Sequence, residues 1–127
     1  MIRLTLMFLC WAPSAYAGGD VAKGSKLYQG SCMACHGVNA DGNGPAAAAM
    51  NPPPTNFRSA EYWEGRTNEQ LKVAIKSGSP GTSMMPFTHL RPDQVTSLVA
   101  FLRTLAPSTG PEEAPIVPHK PAPPKTQ

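Results

Sequence analysis

Long hydrophobic runs, clustered charge and strand-like alternation are missing from most of this 127-residue chain. Beyond residue 17 no apolar stretch approaches the roughly 18 residues that a membrane-crossing helix requires. Charged residues make up 15% of the chain, the net charge is +3, and Lys and Arg form no run. Nothing therefore draws the chain to nucleic acid or to an anionic membrane. No segment alternates apolar and polar residues long enough to predict a sheet, and no internal repeat divides the chain. What remains is room for one small all-α domain, punctuated by 15 prolines.

The N-terminal segment, residues 1–17, has the form of a signal peptide. Arg3 supplies positive charge, Leu4 to Ala12 a short apolar core, and Ala15-Tyr16-Ala17 a small-x-small cleavage site. A retained anchor is the alternative, and Cys10, preceded by bulky Leu9, makes a poor lipid-attachment site. Cleavage after Ala17 would leave two cysteines, with ten basic against eight acidic side chains. Residues 18–106 alternate helical patterns with Gly/Pro-rich loops. From Pro107 to Gln127 there are seven prolines and few large apolar residues. Such a composition cannot offset its own ordering entropy, so residues 107–127 are expected to form a proline-rich disordered tail.

Three helices are legible between these ends. Asp20 is an N-cap for a helix from about Val21 to Gly30, with Val21, Gly24, Leu27 and Tyr28 on one face. Thr67-Asn68-Glu69-Gln70 has the capping-box form and opens a second helix, with Leu71, Ala74 and Ile75 apolar and Gly78 as its stop. Pro92 begins the third, in which Val95, Leu98, Val99, Leu102 and Leu105 repeat at helical spacing until Pro107 ends it. So small a domain, rich in loops, needs a staple such as a bound cofactor to complete its core.

Cys32-Met33-Ala34-Cys35-His36 is the Cys-x-x-Cys-His pattern of covalent haem attachment. Two thiols three residues apart can each form a thioether to one haem, and the adjacent imidazole is then the proximal iron ligand. Gly37 lets the chain leave the haem edge. Three other readings compete. A thiol–disulfide oxidoreductase would place the cysteines beside a parallel sheet, of which the sequence has no trace. A structural zinc site would need four ligands, and only His89 and His119 remain, far from the motif. A plain Cys32–Cys35 disulfide leaves His36 without a role.

The second axial position decides between a closed electron-transfer site and an open one suited to small-molecule chemistry. Met33 belongs to the attachment loop, and Met50 lies in the loop from Pro45 to Pro54, where packing is the simpler role. Met84 and Met85 precede Pro86-Phe87 in a loop just before the last helix, a location from which a side chain can reach the haem. His89 is expected to be a surface residue, and His119 to be solvated in the tail.

The order Gly24, Tyr28, Cys32-x-x-Cys35-His36-Gly37, then Gly81-Thr82, Met-Pro86-Phe87 and the Leu98-to-Leu102 helix resembles the bacterial class I cytochromes c over residues 20–106. That resemblance implies a small cytochrome c fold of three to five helices wrapped around one covalently attached haem c, with His/Met coordination. It further implies that first and last helices cross at Gly24, Tyr28, Leu98 and Phe101, and that the Pro45 carbonyl receives the His36 proton. Relatives carry a single Met in the Gly-Thr-x-Met-Pro-x-Phe loop. Alignment on Gly81-Thr82 and Phe87 selects Met84 as the distal ligand, and alignment on the Met-Pro step selects Met85. Adjacent side chains of an extended segment point oppositely, so only one reaches iron, and two anchors favour Met84. Phe57, Tyr62 and Trp63 are open to two roles, core packing or walling the haem pocket, with Trp63 Nε1 as a donor to a propionate.

The expected function is single-electron transfer between a redox protein donor and acceptor in the periplasm, not enzymatic catalysis. The same haem would alternatively serve as a cytochrome subunit of a larger oxidoreductase, or as a sensor or enzyme with a labile distal ligand.

Overall fold

The computed structural model describes residues 18–107, so the signal segment and almost all of the tail lie outside the described residues. Five α-helices follow in order: α1 Val21–Ser31, α2 Met33–His36, α3 Ala60–Trp63, α4 Asn68–Ser77 and α5 Pro92–Arg103, with a 3₁₀ turn at Ala47–Ala49. No strand occurs among the described residues, so the domain is all-α as the sequence implies. None of the described helices is long and apolar enough to cross a membrane.

Local chemistry explains the helix ends. The Asp20 carboxylate accepts from Lys23 N at 3.1 Å and satisfies one of the free donors opening α1. Thr67 and Gln70 close the capping box of α4 in both directions, at 3.2 and 2.9 Å. At α5 the Gln94 side chain accepts from Arg91 N at 2.9 Å, while Pro92 needs no partner for a missing N–H. This last helix stops earlier than Pro107 predicts. After Arg103 the chain tightens, with Thr104 N donating to Phe101 O and Leu105 N to Leu102 O, so Pro107 follows a turn that has already closed.

The core forms where α1, α4 and α5 meet. Val95, Leu98, Val99 and Leu102 are all buried, as the helical stripe of α5 requires, Leu105 is buried in the turn just beyond it, and Leu71 and Ile75 face them from α4. On α1 only Gly24 and Tyr28 are buried; Val21, expected on the same face, is exposed. Gly24 lies directly against the α5 backbone, where an added Cβ would overlap Ser97 O and sit 2.7 Å from Phe101 Cβ. The Tyr28 and Phe101 rings meet next to it, centroids 5.3 Å apart. The crossing of first and last helices thus uses Gly24, Tyr28 and Phe101 as expected, together with the Ser97 backbone, while Leu98 is buried in the core.

Candidate haem site

The attachment residues gather because α1 runs almost directly into α2. Cys32 N donates to Tyr28 O at 2.8 Å at the end of α1, and His36 N donates to Cys32 O at 2.9 Å. The turn between the two short helices therefore sets Cys32, Cys35 and His36 on one cavity of about 440 Å³. That volume lies in the range of roughly 300–1,000 Å³ usual for small-molecule and cofactor sites. Met84 and Met85 line the same cavity, and α5 contributes Leu98 and Leu102 to its wall.

His36 is buried, and its Nδ1 lies 3.0 Å from the Thr55 carbonyl. The resemblance pointed to Pro45 for this contact, and the structure assigns it to Thr55 instead. The loop after Gly44 turns away through the 3₁₀ segment, and the backbone returns to the imidazole only after Pro54. Burial lowers the His36 pKa, opposed by the bond to Thr55, so the neutral ring prevails, with a proton at Nδ1 and a free lone pair on Nε2. Phe57 stacks on the imidazole at a centroid distance of 4.7 Å and fixes the ring plane. Sequence reasoning gave Thr55 no role and left Phe57 open between core packing and the pocket wall, without its stacking on His36. Only the return path of the loop reveals them, and no motif encodes it.

Tyr28 ties the attachment turn to the core. Its hydroxyl donates to Gly37 O at 2.7 Å, in buried surroundings. Burial, helped by the nearby Asp41 carboxylate, raises that hydroxyl above its ordinary value. Trp63 Nε1 donates to Phe57 O at 2.8 Å, which occupies the indole donor and removes it as a propionate partner. Its role is packing, with the Arg103 guanidinium 5.1 Å from its ring centre.

The methionines separate by exposure. Met84 is half-buried, whereas Met85 is 73% exposed. Met84 is also fixed at its backbone, its N–H donating to Thr82 Oγ1 at 3.1 Å and its carbonyl accepting from Ser79 N at 3.2 Å. Met50, expected only to pack, lines the cavity too, and Met33 packs against the core outside it. His89 is exposed and does not line the cavity; His119 lies outside the described residues.

This donor set fits a covalently held haem. Two half-buried, unjoined thiols, a neutral buried imidazole and a thioether meet in one largely apolar cavity. The dithiol and zinc readings fit less well. Burial and the nearby Cys35 push the Cys32 thiol up to about 11, the reverse of the depressed value that a reactive redox cysteine needs. Among the described residues no three His, Cys, Asp or Glu side chains gather to hold a metal.

Comparison with known proteins agrees with this chemistry. The family profile described as Cytochrome c matches residues 21–106. Cytochrome c2 of Rhodomicrobium vannielii is 30% identical over 110 residues, covering 76% of this chain and 87% of that protein. Cytochrome c-554(547) of Halothiobacillus neapolitanus is 39% identical over 67 residues, covering 50% of this chain and 58% of the relative. Among solved structures, a chain of the Kuenenia stuttgartiensis reducing HAO-like protein complex superposes with a TM-score of 0.61 at 26% identity, over 78% of this chain but only 49% of that one. The KustC0563 c-type cytochrome superposes with a TM-score of 0.56 at 32% identity, over 66% of this chain and 98% of that one. With the match spanning residues 21–106 and the attachment motif set on one cavity, the chain belongs to the cytochrome c family as a bacterial class I member, an electron carrier rather than an enzyme, with one covalently bound haem c.

Proposed function

We propose that the protein is a monohaem carrier of single electrons between redox proteins of the periplasm, with Cys32 and Cys35 holding the haem, His36 as proximal ligand and Met84 as distal ligand. The observation that carries the reading is the meeting of the Cys32-to-His36 turn and Met84 on one cavity. Haem supplies the one-electron Fe(III)/Fe(II) couple. The chain's own residues do the rest. Thr55 keeps the His36 ring in one tautomer and strengthens its donor nitrogen, and Phe57 prevents it from turning. Leu71, Ile75, Leu98 and Leu102 exclude water from the cavity, which favours the less charged redox state. The half-burial of Met84 and the two hydrogen bonds of its backbone support it over the exposed Met85.

The Arg3-to-Ala17 segment and the attachment chemistry support export, and export supports periplasmic donors and acceptors. A closed site of this kind predicts that reduced holoprotein does not bind carbon monoxide on mixing, whereas Met84→Ala does. Rapid binding by the unmutated protein would instead indicate a sensor or enzyme with a labile distal ligand.

The likeness to one chain of the HAO-like complex favours a second reading, in which this cytochrome is a subunit of a larger oxidoreductase and residues 107–127 dock it. Co-purification with a dehydrogenase or oxidase, lost on deletion of residues 107–127, would establish that assignment.

A further inference from the structure

The loop that carries Met84 has one feature that neither haem attachment nor core packing uses. Lys76, in the last turn of α4, forms no ion pair among the described residues. Its ammonium instead donates to two backbone carbonyls, Thr88 O and Leu90 O, both at 2.8 Å. These carbonyls belong to the segment between Met84 and α5. The same turn of α4 grips that segment once more, Phe87 N donating to Ile75 O at 3.0 Å, and just beyond the helix Ser79 N donates to Met84 O at 3.2 Å.

Gly78 lies between these grips at φ 71°, where an added Cβ would approach Met84 O to 2.5 Å. The end of α4 and the Met84 loop are thus pressed backbone to backbone. On the α5 side of Met84, beyond Phe87, the lysine ammonium is the cross-link. Leu90, the second of its acceptors, is buried, so that end of the strap is anchored in the core. Bonds from a charged donor are stronger than neutral ones, and an ammonium with three N–H groups can hold two carbonyls at once.

We propose that Lys76 is a positioning residue for the distal ligand: its double bond to Thr88 and Leu90 holds the strap closed and so keeps Met84 in the haem cavity. The inference rests on the reading of Met84 as the distal ligand. Lys76 touches neither haem nor iron in this account. It acts by making the open strap, from which Met84 has withdrawn, a rarer state.

The test is imidazole binding to the ferric holoprotein, followed by visible absorption. Imidazole can reach iron only when the distal methionine leaves, so its apparent affinity reports the open fraction. Lys76→Met keeps the aliphatic stem and deletes the two bonds. It should raise apparent imidazole affinity about tenfold, since a hydrogen bond to a charged group contributes about 1.4 kcal/mol or more and each 1.4 kcal/mol is a factor of ten. Lys76→Arg, which restores a donor fork, should stay near the unmutated value. Lys72→Met removes the same charge from the exposed face of α4, where Lys72 pairs with Glu69, and should change nothing. Lys76→Gln replaces Lys76→Met if the latter does not mature.

The clamp is overturned if Lys76→Met binds imidazole within about twofold of the unmutated protein, or if Lys72→Met shifts binding equally. Met84→Ala, measured alongside, separates the two claims. An unchanged affinity in Met84→Ala sinks the ligand reading. A raised one, unaltered by adding Lys76→Met, shows that the lysine acts through Met84.

Discussion

Replacing Gly24 by Ala sets two physical effects against each other, and the structure says which wins. In an isolated helix the change is favourable by about 1 kcal/mol, because glycine gives up the most backbone entropy. In this fold the new Cβ would overlap Ser97 O and lie 2.7 Å from Phe101 Cβ, against the 3.4 Å at which ordinary contact begins. Neither neighbour can rotate away, since one is a backbone oxygen and the other the first carbon of its side chain. Helices α1 and α5 must separate at their crossing, which disturbs the Tyr28–Phe101 pair beside it. Overpacking of this kind costs about 1–3 kcal/mol, and a clash with backbone belongs at the upper end. Gly24→Ala should therefore destabilise the holoprotein by about 2 kcal/mol after the propensity gain is subtracted. Guanidinium unfolding monitored by far-ultraviolet circular dichroism should show a lower midpoint at unchanged slope. Gly30→Ala is the matched control, because nothing lies within 4 Å of a Cβ there. It should gain a fraction of a kcal/mol, up to about 1. A Gly24→Ala protein as stable as the unmutated one would refute the close crossing of α1 and α5.

Two further substitutions probe the attachment turn and the α4 cap. Tyr28→Phe strands the buried Gly37 carbonyl and should cost about 1–3 kcal/mol by the same unfolding assay. Burial holds the phenol above its ordinary value of 10.0, so its contribution is complete below pH 10 and declines as pH rises beyond it. The unmutated protein should lose stability across that window and Tyr28→Phe should lack that component, as paired unfolding series will show. Thr67→Ala removes the side-chain acceptor of Gln70 N and should lower stability by about 1 kcal/mol, with no change in the haem spectrum.

The parts of the fold legible in the sequence are those with local causes. The Thr67 box, the Asp20 cap and the α5 stripe each depend on residues within one or two turns, and each occurs as the sequence predicts. Helices α2 and α3 escaped notice because four residues are too few to show a period of 3.6. Val21 matched the apolar face of α1 by spacing, yet it stands at the first position of the helix, above the crossing with α5, and remains exposed.

The site divides in the same way. In the proposed site Cys32, Cys35 and His36 are the residues a sequence can display, because two thioethers and one iron bond to a single haem would demand that spacing. The partner of the imidazole is not among them. Thr55 lies 19 residues from His36, and the intervening loop could have presented several carbonyls, Pro45 among them. Trp63 was open to two roles for a related reason, since only its hydrogen bond to Phe57 O, six residues away, shows which way the indole points. The Lys76 clamp belongs to this class as well. A lone lysine carries no motif, and its acceptors are backbone atoms 12 and 14 residues onward.

The most direct test of the central claim is the visible spectrum of ferric protein exported with cytochrome c maturation, recorded for the unmutated chain, Met84→Ala and Met85→Ala. The account predicts a low-spin, covalently bound haem whose weak long-wavelength Met–iron band is present in the unmutated protein, lost in Met84→Ala and kept in Met85→Ala. Loss of the band in Met85→Ala alone would reassign the ligand. Absence of covalent haem despite competent maturation would contradict the account as a whole.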